Sequence, residues 1–107
     1  MIVKNESVKS EPLGGSVGRK ILARGGSLMM VEVTFEKGGI GAVHTHPHEQ
    51  ISYIHSGSFE FESDGGKEIV RVGDAVYLPA NVPHGVVALE DSIIVDIFSP
   101  QREDFLK

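Results

Sequence analysis

Short runs rich in valine, isoleucine and phenylalanine alternate with glycine-bearing turns along this chain, and that punctuation limits what it can fold into. Thirteen glycines fall among 107 residues, and few stretches carry the 3.6-residue spacing of an amphipathic helix. From Ser58 to Ser63, Phe59 and Phe61 alternate with Ser58, Glu60 and Glu62, the two-residue period of a strand with one buried face. Asp64-Gly65-Gly66 then reads as a hairpin turn, because aspartate and glycine accept the positive φ of tight turns. Further strands are expected over residues 17–23, 28–35, 43–46, 51–56, 67–72, 75–78, 85–89 and 92–98. The segment Ser10 to Gly15, SEPLGG, reads as a loop, and Ser99 to Lys107 as a turn or helical cap. Many short strands with glycine-rich turns predict an all-β sandwich or barrel.

The length fits one domain over residues 1–107 with a single core. A net charge of −5 argues against a nucleic-acid partner, which needs clustered lysine and arginine. No apolar run approaches the 18 or so residues of a membrane span, and the first residues lack the pattern of a secretory signal. With no cysteine there are no disulfides or thiolate ligands, and the expected location is cytoplasmic.

Chemistry concentrates in Gly38 to Gly57, GGIGAVHTHPHEQISYIHSG. On an extended strand His44 and His46 point to the same side, which makes half of a metal site. Gln50, past the bend at Pro47, can swing back toward the same point. A fourth ligand is sought in GDAVYLPANVPHGVVAL, where a turn-rich segment ends on His84. Three imidazoles and an amide are neutral, so a divalent ion held there keeps its charge; zinc, nickel, manganese and iron all suit that donor set. His48 reads as a loop residue at the cavity mouth and His55, by parity from Gln50, as surface.

The first stretch resembles cupin motif one, met by Gly38, His44, His46, Gln50 and Gly57; the second resembles cupin motif two, met by Gly73, Pro79 and His84 over residues 73–88. Two positions depart from the pattern. Asn81 stands where glycine is usual, and asparagine also tolerates positive φ. Gln50 stands where many cupins carry glutamate. The resemblance implies the cupin double-stranded β-helix, a jelly-roll barrel.

The last strand has two unlike faces: Ile93, Val95 and Ile97 on one, Ser92, Ile94, Asp96 and Phe98 on the other. If it lines the barrel, Asp96 and Phe98 face the metal, and Arg102 follows the bend at Pro100. The runs HTHPHEQISY and PANVPHGVVALEDSIIVDIFSPQREDFL resemble the small cupins of pectin and alginate breakdown, the KdgF group. That likeness implies metal-dependent linearisation of 4,5-unsaturated uronate monosaccharides, with His44, His46, Gln50 and His84 as ligands and Asp96, Phe98 and Arg102 on the substrate side. Asp96 would move the proton, Arg102 would pair with the substrate carboxylate, and Phe98 would form an apolar wall. A simple Asp96–Arg102 ion pair is the bland alternative. Glu103, Asp104 and Lys107 read as a solvated face, and Met29 and Met30 as core filler. Two other functions share the scaffold: a sugar- or metabolite-binding protein without turnover, and a metal-dependent oxygenase or sugar isomerase. Apolar residues on both faces of the last strand, with Ile2 and Val3, point to a homodimer, and the partner molecule is a small anionic sugar.

Overall fold

The computed structural model describes residues 1–107 and places ten strands in two antiparallel sheets. They are β1 (Glu11–Gly14), β2 (Val17–Gly25), β3 (Leu28–Phe35), β4 (Ile40–His44), β5 (Glu49–Ser56), β6 (Ser58–Ser63), β7 (Gly66–Arg71), β8 (Ala75–Leu78), β9 (His84–Ala88) and β10 (Ser92–Ser99). One sheet runs β1-β2-β3-β10-β5-β8 and the other β4-β9-β6-β7, the two layers of the expected jelly roll. Short 3₁₀ turns cover Asn5–Ser7 and Glu103–Leu106, the latter being the cap expected of the tail. No helix is long and apolar enough to cross a membrane.

Alternation decides what goes inside. On β5, Gln50, Ser52 and Ile54 are buried while Ile51, Tyr53 and His55 are exposed. On β10, Ser92, Ile94 and Phe98 are buried, and Asp96 shares their face. Phe35, Ile54, Phe59, Phe61, Val70, Leu78, Ala88 and Ile94 form the main core, with Phe35 edge-on to Phe59 at 5.1 Å. Met29, Val31 and Phe98 form a smaller cluster. Met30 faces the other way and is only half-buried, because neighbours on a strand cannot share a face.

Three expectations change. SEPLGG is not a loop: Glu11–Gly14 pairs with β2 at the edge of the larger sheet, where Pro12 removes no ladder bond the fold needs. β4 begins at Ile40 and ends at His44, so His46 enters the site from the turn and strand parity is not what brings it there. The tail's Asp104 is engaged with Arg102, as described below.

Two glycines hold the frame shut. Gly57 has φ +76°, and a Cβ there would collide with Ser92 Oγ and lie 2.6 Å from Asp91 O. A Cβ on Gly85 would meet Gly41 O at 2.8 Å and Val43 N at 2.9 Å, so β9 packs against β4 as closely as it does only because position 85 is bare. Asn81 takes φ +66° as its type allows, and its N–H donates to His46 O at 2.8 Å, tying the second motif to the first.

Candidate metal centre and active-site cavity

His44 closes β4, His84 opens β9, and the two are register partners across the smaller sheet. His46 arrives from the following turn. Their ring centres lie 4.5 Å (His44–His84), 4.9 Å (His46–His84) and 5.5 Å (His44–His46) apart, and their ligand atoms fall within 4.8 Å of one another. Ligand nitrogens this close could be brought onto one ion by small ring rotations. His46 and His84 are buried and His44 is exposed, so the cluster opens on one side.

The backbone sets which nitrogens point inward. Each Nδ1 lies beside a carbonyl two residues away: His44 to Ala42 O at 2.8 Å, His46 to His48 O at 3.1 Å, His84 to Val82 O at 2.9 Å. A carbonyl can only accept, so each Nδ1 carries the proton and each Nε2 keeps its lone pair. Nothing in the protein answers the buried Nε2 of His84. The Nε2 of His46 faces Gln50 Oε1 at 2.8 Å. Two lone pairs that close repel unless both are turned on a shared cation, so this donor set fits a metal ion.

Gln50 is oriented from its other end. Its Nε2 donates to Ser52 Oγ at 2.9 Å and to Asp96 Oδ1 at 3.0 Å, which fixes Oε1 toward the histidines. Ser52 donates to the same Asp96 Oδ1 at 2.7 Å, leaving Oδ2 without a protein partner. Ser52 was not among the expected site residues; it sits directly opposite Asp96 in the β5–β10 register and two residues from Gln50, so parity alone points to it.

Asp96, Phe98, Arg102, Gln50, His44 and His84 all border one cavity of about 210 Å³, floored by Phe35, Phe61 and Ile94. Asp96 and Phe98 thus face inward as expected. The Asp96–Arg102 pair does not form: Arg102 Nε and Nη2 donate to Asp104 Oδ1 and Oδ2 at 3.0 and 2.9 Å. Its guanidinium stacks on Phe105 at 4.2 Å and lies 5.1 Å from the Phe98 ring centre. His48 lies in the bend at the mouth, its ring 5.4 Å from that of His46.

Residues 31–98 match the sequence pattern of the cupin domain family. The chain is a cupin. This cupin is 49% identical over 98 residues, 90% of its length and 89% of the relative's, to the pectin degradation protein KdgF of Dickeya dadantii (strain 3937). Among solved structures it is similar to KdgF from Halomonas sp. (39% identity, TM-score 0.94, 98% of this chain and 97% of that one). It is also similar to an RmlC-like cupin from Shewanella frigidimarina NCIMB 400 (38% identity, TM-score 0.94, 97% and 94%).

Electrostatics divide the cupin's cavity into cation-ready and proton-ready halves. Burial holds His84 down to about 4 and also lowers His46, with Gln50 opposing the shift at His46. Both imidazoles are therefore neutral near pH 7, as metal binding requires. Asp96 moves the other way: desolvation raises it to about 6 although Ser52 and Gln50 both favour its charged form. The carboxyl is ionised at neutral pH yet close to its titration point.

Proposed function

We propose that this cupin linearises 4,5-unsaturated uronate monosaccharides to their open-chain 5-keto form. The observation that carries the reading is the placement of Asp96, an uplifted carboxylate with one free oxygen, in the same cavity as the histidine cluster and Arg102. Two KdgF relatives support the substrate class. At about 210 Å³ the cavity has room for about seven waters' worth of ligand, the scale of one sugar ring.

The reaction moves one proton and needs no co-reactant. Asp96 Oδ2 takes the proton of the anomeric hydroxyl; the bond from C1 to the ring oxygen breaks, leaving an aldehyde and an enolate. Asp96 then returns the proton to C4, and the enolate becomes the ketone. Arg102 pairs with the carboxylate, and Phe98 lines the sugar face. His44, His46, His84 and Gln50 would hold a divalent ion, which when bound supplies a positive charge for the developing enolate oxygen. Gln50 also favours this over an oxygenase, since a glutamate at position 50 could not donate to Asp96. A cytoplasmic site of action belongs to the same reading.

The substrate's conjugated enol ether absorbs in the ultraviolet and the product does not. Protein as purified should accelerate the loss of that absorbance well above the spontaneous rate; a rate no faster than buffer would rule the reading out. The outer face of the larger sheet carries Ile51, Tyr53 and Tyr77, each 45–57% exposed, beside Val95 and Ile97. We assign that face to a homodimer, and a concentration-independent monomer mass in sedimentation would exclude it.

A further inference from the structure

The cavity contains a second guanidinium that the reaction above leaves unused. Arg19, on β2, pairs in register with Val33 and borders the same space as Asp96 and Arg102. Its Cζ lies 4.0 Å from the Phe105 ring centre and that of Arg102 lies 4.2 Å from it, so the two guanidiniums are at most about 8 Å apart.

Both are held in the same manner. Glu11 Oε1 accepts from Arg19 Nε at 2.9 Å and Nη2 at 2.6 Å, just as Asp104 accepts from the Nε and Nη2 of Arg102. The two arginine side chains are 15% and 11% exposed, whereas those of Glu11 and Asp104 are 54% and 59% exposed. The carboxylates thus face water, which screens them, and the guanidiniums face the cavity. Each Nη1 is left without a protein partner, so each arginine keeps a free end. Water screens so exposed a carboxylate, and stacking on Phe105 anchors one face of each guanidinium, yet neither contact answers Nη1. Two like charges sharing one ring also repel, and Asp96 is already engaged by Gln50 and Ser52. An anion reaching both free ends balances them.

We propose that Arg19 and Arg102 together form a two-arginine anion site, in which Arg19 touches the carboxylate-bearing end of a sugar acid. Glu11 and Asp104 are positioning residues that grip one edge of each guanidinium and leave the other free. This deepens the uronate reading and rests on it for the ligand class, but its test requires no turnover. Calorimetry on metal-loaded protein would compare D-galacturonate with uncharged D-galactose for wild type, Arg19→Gln, Arg19→Lys and Glu11→Gln, with metal content and Tm measured in parallel.

Wild type should prefer galacturonate strongly. Arg19→Gln should lose about tenfold in galacturonate affinity with galactose affinity and metal content unchanged, Arg19→Lys should recover part of the loss, and Glu11→Gln should weaken galacturonate less than Arg19→Gln does. Equal galacturonate affinity in wild type and Arg19→Gln, or no saturable binding by wild type, would overturn the proposal. Should Arg19→Gln not fold, Arg19→Lys decides instead, and an affinity equal to wild type's would overturn it too. Arg19-dependent binding without turnover of unsaturated uronates would remove the linearisation reading and leave the anion site standing.

Discussion

Replacing Asp96 with asparagine should make the metal-free protein more stable and abolish the proposed uronate linearisation. Asparagine keeps an Oδ1 that can accept from Ser52 and Gln50, so the change removes a charge and little else. The folded protein holds the Asp96 proton up to about 6, against an ordinary value of 3.8. The folded state therefore binds that proton more tightly than the unfolded chain, and stability falls as pH rises through this window. A displacement of roughly two pH units at about 1.4 kcal/mol each gives about 3 kcal/mol, and cavity water reaching the half-buried residue reduces it to about 2 kcal/mol. Urea unfolding of chelator-treated wild type and Asp96→Asn across pH 3.5 to 8 should show curves that coincide at the acid end and separate by about 2 kcal/mol above pH 7, roughly 10 °C in Tm. His84, His46 and the surface acids titrate in both proteins and cancel in the difference. The rate of enol-ether loss should fall by at least about a hundredfold. Parallel stability curves, or a variant less stable at neutral pH, would show that Asp96 carries no burial penalty and is not poised as a base.

Other perturbations test neighbouring links. Gln50→Glu should keep the metal but exchange a donor to Asp96 for a second carboxylate beside it; the pH–rate profile should move to higher pH as Asp96 becomes harder to ionise, and an unmoved profile would deny the Gln50–Asp96 contact a role. Because burial lowers both His84 and His46, protons should compete weakly for these two ligands near neutral pH, and His84→Ala should abolish metal retention, as read by metal content after dialysis. At a metal concentration a hundred times Kd, bound ion should stabilise the fold by about 2.7 kcal/mol in thermal melts, an effect absent in His84→Ala. Gly57→Ala should cost about 2–4 kcal/mol in urea unfolding, since Ser92 and Asp91 occupy the space its Cβ needs at positive φ.

The parts of this molecule readable from its sequence are those governed by local rules. A two-residue period puts Asp96 and Phe98 on one face of β10 whatever surrounds them, and the left-handed φ of Asp64 and Asn81 follows from residue type. β1 escaped because Pro12 and Gly14 argue against a strand unless it is known to lie at an edge, and edges exist only once the sheet is assembled. Ser52 was within reach of parity, but a serine gives no chemical signal until Asp96 is seen opposite. The grouping of Arg19, Phe105 and Arg102 was out of reach: the tail's 3₁₀ turn brings Phe105 back against β2, a contact between segments more than 80 residues apart that no periodicity encodes.

Each histidine of the cluster is steered by a peptide carbonyl belonging to its own loop or strand, and no acidic side chain serves that purpose. Amino-acid replacement cannot delete a main-chain oxygen. How these three rings face is therefore set by the path of the polypeptide, while the orientation of Gln50 depends on the side chains of Ser52 and Asp96.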